Sequence, residues 1–351
     1  MKKPVIAFVS QHHCIRALKQ AIVLKDLGYE VHLVTNRLNN SHFYKSAYVY
    51  LNPLDFEEVV RTLKDRIDIW HIHNEPNWYV VTVRKVIPNA VIIMDYHDSH
   101  HWRLTEEQSY IYPEKEKLAF YMEDSAALVS DAFVTPSKKC RDEVVKRTGK
   151  KTIYVPSACP RKEFRIREFA IRGGLAIQGG MVSPQMVEKE GWNRWRDYTE
   201  FLQEIKGKIH VFAYSPSFGV EKPDVTKDHY VKLGVEPDKQ FYHVLLDRLG
   251  EHSWNLVGNW QKSFTLVWDY ALPNKFWDSV AAGVPSVSFN CPETSKIIKE
   301  YDIGLSLNHP KELINRWGEH IEKRKNLILT RDELCMENHI EKLTNLYEEI
   351  I

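Results

Sequence analysis

The chain predicts an α/β fold of two domains, each a parallel sheet with helices on both faces. Three observations carry this reading. Short β-branched runs alternate with amphipathic helical periods, the alternation breaks at a charged stretch over 156–172 that bears two prolines, and it then restarts in the same style. Strands that alternate with helices must pair in parallel, because each helix returns the chain to the starting edge of the sheet. A length of 351 residues suffices for two cores of ordinary size.

In order, the first half reads as the strand Val5–Ser10, the helix Ile15–Leu27 stopped by Gly28, and the strand Glu30–Thr35. A helix around Phe56–Lys64, the strand Ile67–His71, a helix near Tyr79–Val86 and the strand Ala90–Asp95 follow. Glu116–Ser130 reads as a longer helix, then Ala132–Thr135 as strand, Lys138–Arg147 as helix and Thr152–Val155 as strand. Ser137 precedes its helix as an N-cap. After the linker come the strand Gly174–Gln178, the helix Tyr198–Ile205, the strand Lys208–Tyr214, the helix Phe241–Leu249 and the strand Ser253–Val257. A helix entered at Pro273, the strand Ser286–Phe289, the helix Ser295–Glu300 and the strand Gly304–Leu307 complete the second domain. Lys311–Lys323 and Arg331–Ile351 read as terminal helices. The predicted domains are 1–160 and 170–325, with a C-terminal helix over 326–351.

Charge and composition narrow the class. Lys+Arg 48 against Asp+Glu 47 leaves a net charge of +1, without the basic excess of a general nucleic-acid binder. Five scattered cysteines show no metal-ligand pairing, which suggests reduced thiols in a cytoplasmic protein. No apolar run approaches the roughly 18 residues of a transmembrane helix, and the start Met1-Lys-Lys-Pro lacks a signal-peptide apolar region. A soluble protein is expected, with peripheral membrane contact left open.

The most informative segment runs from Ala271 to Ser288. Pro273 fits the first helical position and Gly283 the helix end, after which Val284-Pro285 leads into a strand. A helix start offers backbone N–H groups and the positive end of the dipole, which suits a phosphate. Lys275 adds a full charge there. Asp278, one turn in, can accept hydrogen bonds from the neighbouring hydroxyls of a ribose. Diphosphate beside ribose describes a nucleotide sugar. An amphipathic helix feeding a core strand would explain the apolar residues, but not Asn274, Lys275 and Asp278 together.

Two constellations lie in the first domain. In Asp68-Ile-Trp-His-Ile-His-Asn-Glu-Pro76, the residues His71, His73, Asn74 and Glu75 fall at the carboxyl edge of a strand, where ligands bind in such sheets. Two alternate histidines could suggest a metal, but the sequence specifies no third or fourth ligand nearby; local capping of the strand is the other reading. Glu75, in a turn, is the stronger functional candidate. In Ile92-Ile-Met-Asp-Tyr-His-Asp-Ser-His-His101 an apolar strand runs out into a polar loop. His97 can donate to a hydroxyl while neutral, and Asp98 could accept a proton or orient the histidine. Glu123, within a helix, either faces the ligand edge or holds the helix in place.

The segment Leu272–Pro285 resembles the donor-binding motif Leu-Pro-x-Lys-Leu-x-Glu-Tyr-x-Ala-x-Gly-x-Pro of GT-B glycosyltransferases, especially those of the large family-4 type. The first-domain runs are similar to that family's histidine-bearing loops, with His97 at the sugar-contacting position and Asp98 as its acidic neighbour. The resemblance implies two Rossmann-like domains facing across a cleft, with C-terminal helices crossing back to the first. It also implies a donor diphosphate near the turn at Gly179-Gly180, with a basic residue further along. Gly180 and Arg196 match those places, Arg196 in preference to Arg194. The expected donor residues are thus Gly180, Arg196, Pro273, Asn274, Lys275 and Asp278, and the catalytic ones His97, Asp98 and Glu75, with no metal and no cofactor besides the donor.

Two departures qualify this. Many family-4 retaining enzymes carry two glutamates eight positions apart; Asp278 takes the second place, while the first falls on Tyr270 beside Asp269. Stereochemical outcome is therefore not inferred. Nor does the chain contain an Asp-x-Asp tripeptide, which agrees with a metal-independent transferase. Expected partners are a nucleoside-diphosphate sugar and an acceptor that could be a glycan, a lipid-linked glycan, a small molecule or modified nucleic acid. The rival readings are a nucleotide-sugar epimerase or phosphorylase on the same fold, and a catalytically silent binding or scaffold protein.

Overall fold

The computed structural model describes residues 2–11, 14–38, 41–73, 76–103, 114–165, 168–179, 197–214, 230–232, 242–260 and 267–351. Two compact units divide the chain, one formed by Met1–Pro160 with Met336–Ile351 and the other by Arg161–Cys335.

The first unit holds a seven-stranded parallel sheet. Its strands are β1 (Val5–Ser10), β2 (Glu30–Thr35), β3 (Ser46–Val49), β4 (Ile69–His73), β5 (Val91–Asp95), β6 (Ala132–Thr135) and β7 (Thr152–Tyr154), in the order β3-β2-β1-β4-β5-β6-β7. The central strands are buried on both faces, so they read as continuous apolar runs rather than as alternation. Strand β4 starts two residues later than the sequence suggests. Asp68 ends the approach instead: its carboxylate accepts from the Val5 amide at 2.7 Å, and its own amide donates to the Val5 carbonyl at 2.9 Å. His71 and His73 therefore both lie inside the strand, on one face. Strand β3, at the sheet edge, went unforeseen because Ser46-Ala-Tyr-Val49 is only half-buried and lacks an apolar run. The closing helix Ile340–Glu349 buries Leu343, Leu346 and Tyr347 within this unit, and the Met336 amide donates to the Cys159 carbonyl at 3.0 Å.

The second unit has β8 (Leu175–Gln178), β9 (Val211–Tyr214), β10 (Tyr230–Lys232), β11 (Trp254–Gly258), β12 (Ser286–Phe289) and β13 (Gly304–Ser306), all parallel and ordered β10-β9-β8-β11-β12-β13. Strand β10 was also not foreseen. Trp254, Phe201 and Phe289 anchor the core with Leu175, Ile177, Val287 and Leu305, the two phenylalanine rings meeting edge to face at 5.5 Å. Gly258, at φ 80°, ends β11 where a Cβ would collide with the Phe289 carbonyl.

The helix after Pro273 spans Asn274–Ala282, and here the expectation needs a one-position correction. Pro273 has ψ 153°, an extended backbone, so it is the N-cap rather than the first helical residue; its carbonyl accepts from the Phe276 amide at 3.0 Å. The ring fixes φ but leaves ψ free, so the same residue suits either place. Gly283 closes the helix in the left-handed region at φ 68°. The predicted C-terminal helices are more broken than expected: Pro310–Asn315, His320–Thr330 and Ile340–Glu349 are separated by short 3-10 turns. Among the described residues no helix is long and apolar enough to cross a membrane.

Candidate functional site

In each sheet the strand order reverses once, between β1 and β4 in the first unit and between β8 and β11 in the second. Ligands in open parallel sheets bind beyond the carboxyl ends of the strands at such a reversal, where helices leave on opposite faces and open a crevice.

In the first unit, the β4–β5 register pairs His73 with Asp95, and the β1–β4 register pairs Phe8 with His71. Phe8, His71, His73 and Asp95 share one face: the Phe8 ring meets both imidazoles edge-on, at 5.0 and 4.5 Å, and the imidazoles stack at 4.4 Å. The helix Ile15–Asp26 lays Arg16 and Gln20, one turn apart, against that face. Arg16 Nε donates to both Asp95 oxygens at 2.9 and 3.0 Å, Gln20 Nε2 donates to Oδ2 at 3.1 Å, and Arg16 Nη1 donates to Ser157 Oγ at 3.1 Å.

Burial pushes the Asp95 carboxyl up, but the Arg16 guanidinium and the surrounding imidazoles outweigh it and hold the group well below the usual carboxylate range. Asp95 is thus an anion with no exposure at all, which is tolerable only because it is paired. Burial pushes all three nearby imidazoles the other way: His71 down, His73 well down and His97 to about 4. The Tyr347 hydroxyl, kept protonated by burial, lies 2.7 Å from His71 Nδ1. Donation to Nδ1 places the imidazole proton on Nε2, facing Asp95 Oδ2 at 3.5 Å.

His97 sits in the loop after β5, part-exposed, with Nε2 3.4 Å from His73 Nδ1 and 3.7 Å from Asp95 Oδ1. Asp98 is exposed beside it. Glu123 settles as a structural residue: buried, it accepts from the Ser99 hydroxyl, the His100 amide at 2.7 Å and Arg147 Nη1 at 2.8 Å, and so pins this loop. Ser137 caps its helix by accepting from the Cys140 amide at 3.1 Å. Glu75 lies outside the described residues.

In the second unit, Pro273, Asn274 and Lys275 are half-buried at the helix start. The first N–H groups of a helix lack intrahelical acceptors. Lys275 Nζ stands over the Trp268 ring at 5.3 Å and the Tyr198 ring at 5.9 Å, and donates to the Tyr198 hydroxyl at 3.3 Å. Aromatic faces hold an ammonium without neutralising it. Asn255 of β11 fastens the helix start by donating to the Lys275 carbonyl at 3.2 Å. Asp278 is buried, 1% exposed, and accepts from Gln178 Nε2 at 2.7 Å. Gln178 ends β8, so Asp278 is tied to the carboxyl edge beside the strand reversal. Gly180 and Arg196 lie outside the described residues.

Sequence reasoning missed Asp95, Tyr347, Gln178, Tyr198 and Trp268, whereas Cys14 and Arg16 belong to the loop 11–16 after the first strand, which the sequence offers as a contact for donor phosphate or acceptor. A carboxylate closing the apolar run Ile92-Ile-Met-Asp95 was a usable signal, since a charge there must find a partner. The partners themselves come from elements up to 276 residues away, as with His71 and Tyr347, and carry no local mark.

Residues 16–158 match the family described as Glycosyltransferase Family 4. No curated protein sequence matches the chain. Among solved structures, the sucrose-phosphate synthase from Thermosynechococcus elongatus is similar at a TM-score of 0.72 and 12% identity, over 99% of each chain. A UGT transferase from Siraitia grosvenorii in complex with UDP is similar at a TM-score of 0.54 and 9% identity, over 98% of this chain and 99% of that one. The fold is that of GT-B glycosyltransferases, and the resemblance to the family-4 type holds.

Proposed function

We propose that the protein is a glycosyltransferase that moves a sugar from a nucleoside-diphosphate donor to an acceptor hydroxyl without using a metal in catalysis. The observation that carries this reading is the helix start at Pro273. A half-buried lysine, held against two aromatic rings, stands there beside a buried carboxylate at the carboxyl edge of a reversing parallel sheet. The family-4 match of the first unit supports it, as does the shared fold with a transferase solved with UDP.

Mechanism follows from the chemistry of each group. Breaking the bond from the sugar to the diphosphate leaves negative charge on the leaving group. Lys275 and the N–H groups at Asn274 and Lys275 stabilise that charge as it develops, with Arg196 and Gly180 assigned to the same diphosphate by the family resemblance. Asp278, aimed by Gln178, accepts from ribose hydroxyls, a role a carboxylate with about four lone-pair sites can take. His97, held neutral by burial, donates to a sugar hydroxyl. Asp98 or Glu75 would take the acceptor proton if the reaction inverts. The acceptor is a glycan, a lipid-linked glycan, a small molecule or modified nucleic acid, and the cytoplasm is the compartment that supplies nucleotide sugars to such an enzyme.

A thermal-shift screen against nucleoside diphosphates and their sugars tests the reading. Donor at about a hundredfold over its dissociation constant should add about 2.7 kcal/mol of stability. Slow hydrolysis of the stabilising donor without acceptor should follow. A flat screen would remove the reading, and epimerised donor instead of released diphosphate would replace transfer by epimerisation.

A further inference from the structure

At the carboxyl edge of the first sheet, one donor atom from each of Cys14, His73 and His97 lies within 4.8 Å of the other two. The three side chains come from separate places: Cys14 N-caps the helix Ile15–Asp26, His73 ends β4, and His97 follows β5. The sequence offered the two alternate histidines of β4 with no further ligand; the fold adds a thiol and a third imidazole.

We propose that Cys14, His73 and His97 form a binding site for a transition-metal cation of the Zn²⁺ class. A tetrahedral ion bonded at about 2.0–2.1 Å to nitrogen and about 2.3 Å to sulfur sets its ligand atoms about 3.4–3.6 Å apart. His97 Nε2 is 3.4 Å from His73 Nδ1 and 4.0 Å from Cys14 Sγ, and His97 Nδ1 is 3.7 Å from that sulfur. The Cys14–His73 edge lies within 4.8 Å, so closing the three edges onto an ion takes up to about 1.2 Å of side-chain movement. A thiolate with two imidazoles selects Zn²⁺, Co²⁺ or Cu ions over Mg²⁺ and Ca²⁺, which want oxygen.

Independent observations point the same way. His73 is 1% exposed, and its Nδ1 is turned toward His97 Nε2 at 3.4 Å. Asp95 stands 3.5 Å from His73 Nδ1 and 3.7 Å from His97 Nε2 and supplies a fixed negative charge, shared with Arg16. As the S–metal bond forms, Cys14 releases its thiol proton to solvent, and the thiolate with Asp95 offsets two of the three positive charges of the ion and Arg16. The second grouping, His71 with His73 and Asp95, already has the Arg16 guanidinium on its carboxylate and is not a separate cation site.

The consequence rests on the transferase reading: an ion that holds His97 withdraws that ring from the sugar, so the site inhibits rather than catalyses. The test itself does not depend on activity. Full-length protein stripped with chelator is titrated with Co²⁺. One equivalent should bind with the near-ultraviolet absorption of a thiolate–cobalt bond, and Zn²⁺ should displace it. Cys14→Ser should abolish the band, and His73→Ala should weaken binding at least tenfold, because even partners one shell further out are worth about ten- to a hundredfold. Since either variant could fold poorly, the wild-type chain provides a second readout. Cys14 is the half-buried thiol while the other four cysteines are buried, so Zn²⁺ should protect it from alkylation. Absence of the cobalt–thiolate band, its persistence in folded Cys14→Ser, or unprotected alkylation in saturating Zn²⁺ would each overturn the site. Failure of glycosyl transfer with the cobalt result intact would overturn only the proposed function.

Discussion

The two units place opposite kinds of chemistry at the same topological position. At the reversal of the first sheet, the carboxylate of Asp95 is turned inward, bound by Arg16 and ringed by three imidazoles that burial keeps neutral. At the reversal of the second, a cation stands at a helix start against two aromatic faces. The first edge ties its carboxylate to buried cationic and polar partners; the second holds its cation over aromatic rings. Parallel-sheet topology thus decides where charged groups gather, while each edge pairs its charge differently.

The harshest way to separate the two edges is acid. In the folded chain His71, His73, His97 and His339 of the first unit all titrate below their ordinary value, against His252 in the second, among the described residues. Burial pushes His339 down to about 4. The unfolded chain takes up these protons below about pH 6.5, whereas the folded chain does not. The stability these groups confer is therefore present above about pH 6.5 and drains as the pH falls from there toward the folded values. Each such proton is worth about 1.4 kcal/mol per pH unit. Native-state hydrogen exchange in chelator, from about pH 7 down to about pH 5, should show the amides of β1 and β4 losing protection more steeply than those of β8 and β11. Equal slopes would break the contrast.

Asp95→Ala comes next in size. It leaves the Arg16 guanidinium, 1% exposed, without its carboxylate. Breaking one side of a buried pair costs about 3–5 kcal/mol. Urea denaturation should report a loss of that order, and a loss below about 1 kcal/mol would show that the network adds little to the fold.

Lys275→Ala probes the other edge, to which the proposed function assigns the donor diphosphate. A charge-assisted contact is worth about 1.5–3 kcal/mol, so donor affinity or turnover should fall about tenfold to a hundredfold while the protein stays folded. Calorimetry with nucleoside diphosphate reads this directly, and wild-type affinity in a folded variant would remove Lys275 from the site.

His97→Ala should have a smaller and more selective effect. Affinity for free nucleoside diphosphate should stay nearly unchanged, while turnover drops about tenfold because the sugar is less well oriented. Lost diphosphate binding would move His97 to the nucleotide side, and normal turnover would return it to the packing of the first unit. The smallest expected effect is none: donor turnover should persist in excess EDTA. Activity abolished by the chelator and restored by Mg²⁺ or Mn²⁺ would put a metal into catalysis.

Much of this was legible in the sequence for a definite reason. Central parallel strands bury both faces, so Val5–Ser10 announces itself as an apolar run, while Glu30–Thr35 and Ser286–Phe289 show the β-branched and aromatic residues of strands; all three have their observed bounds. The helix over Asn274–Ala282 is bracketed by a proline and a glycine whose backbone preferences act locally. Edge strands such as β3 have one side open to water and show no comparable run. Glu123 illustrates the boundary: its helix was evident, yet its attachment to Ser99, His100 and Arg147 was one of two readings the sequence left open.

By itself, then, the sequence determined the alternating elements, the restart of the pattern in a second unit and the phosphate-suited helix start with Lys275. Each of these is encoded over a few consecutive residues by periodicity, turn chemistry and charge. Tertiary structure alone decided that Asp95 pairs with Arg16, that Tyr347 reaches His71, that Gln178 holds Asp278 and that Cys14 meets His73 and His97. Such contacts depend on strand register and helix placement across long separations in the chain, where a shift of one residue in β4 would turn both of its histidines to the opposite face.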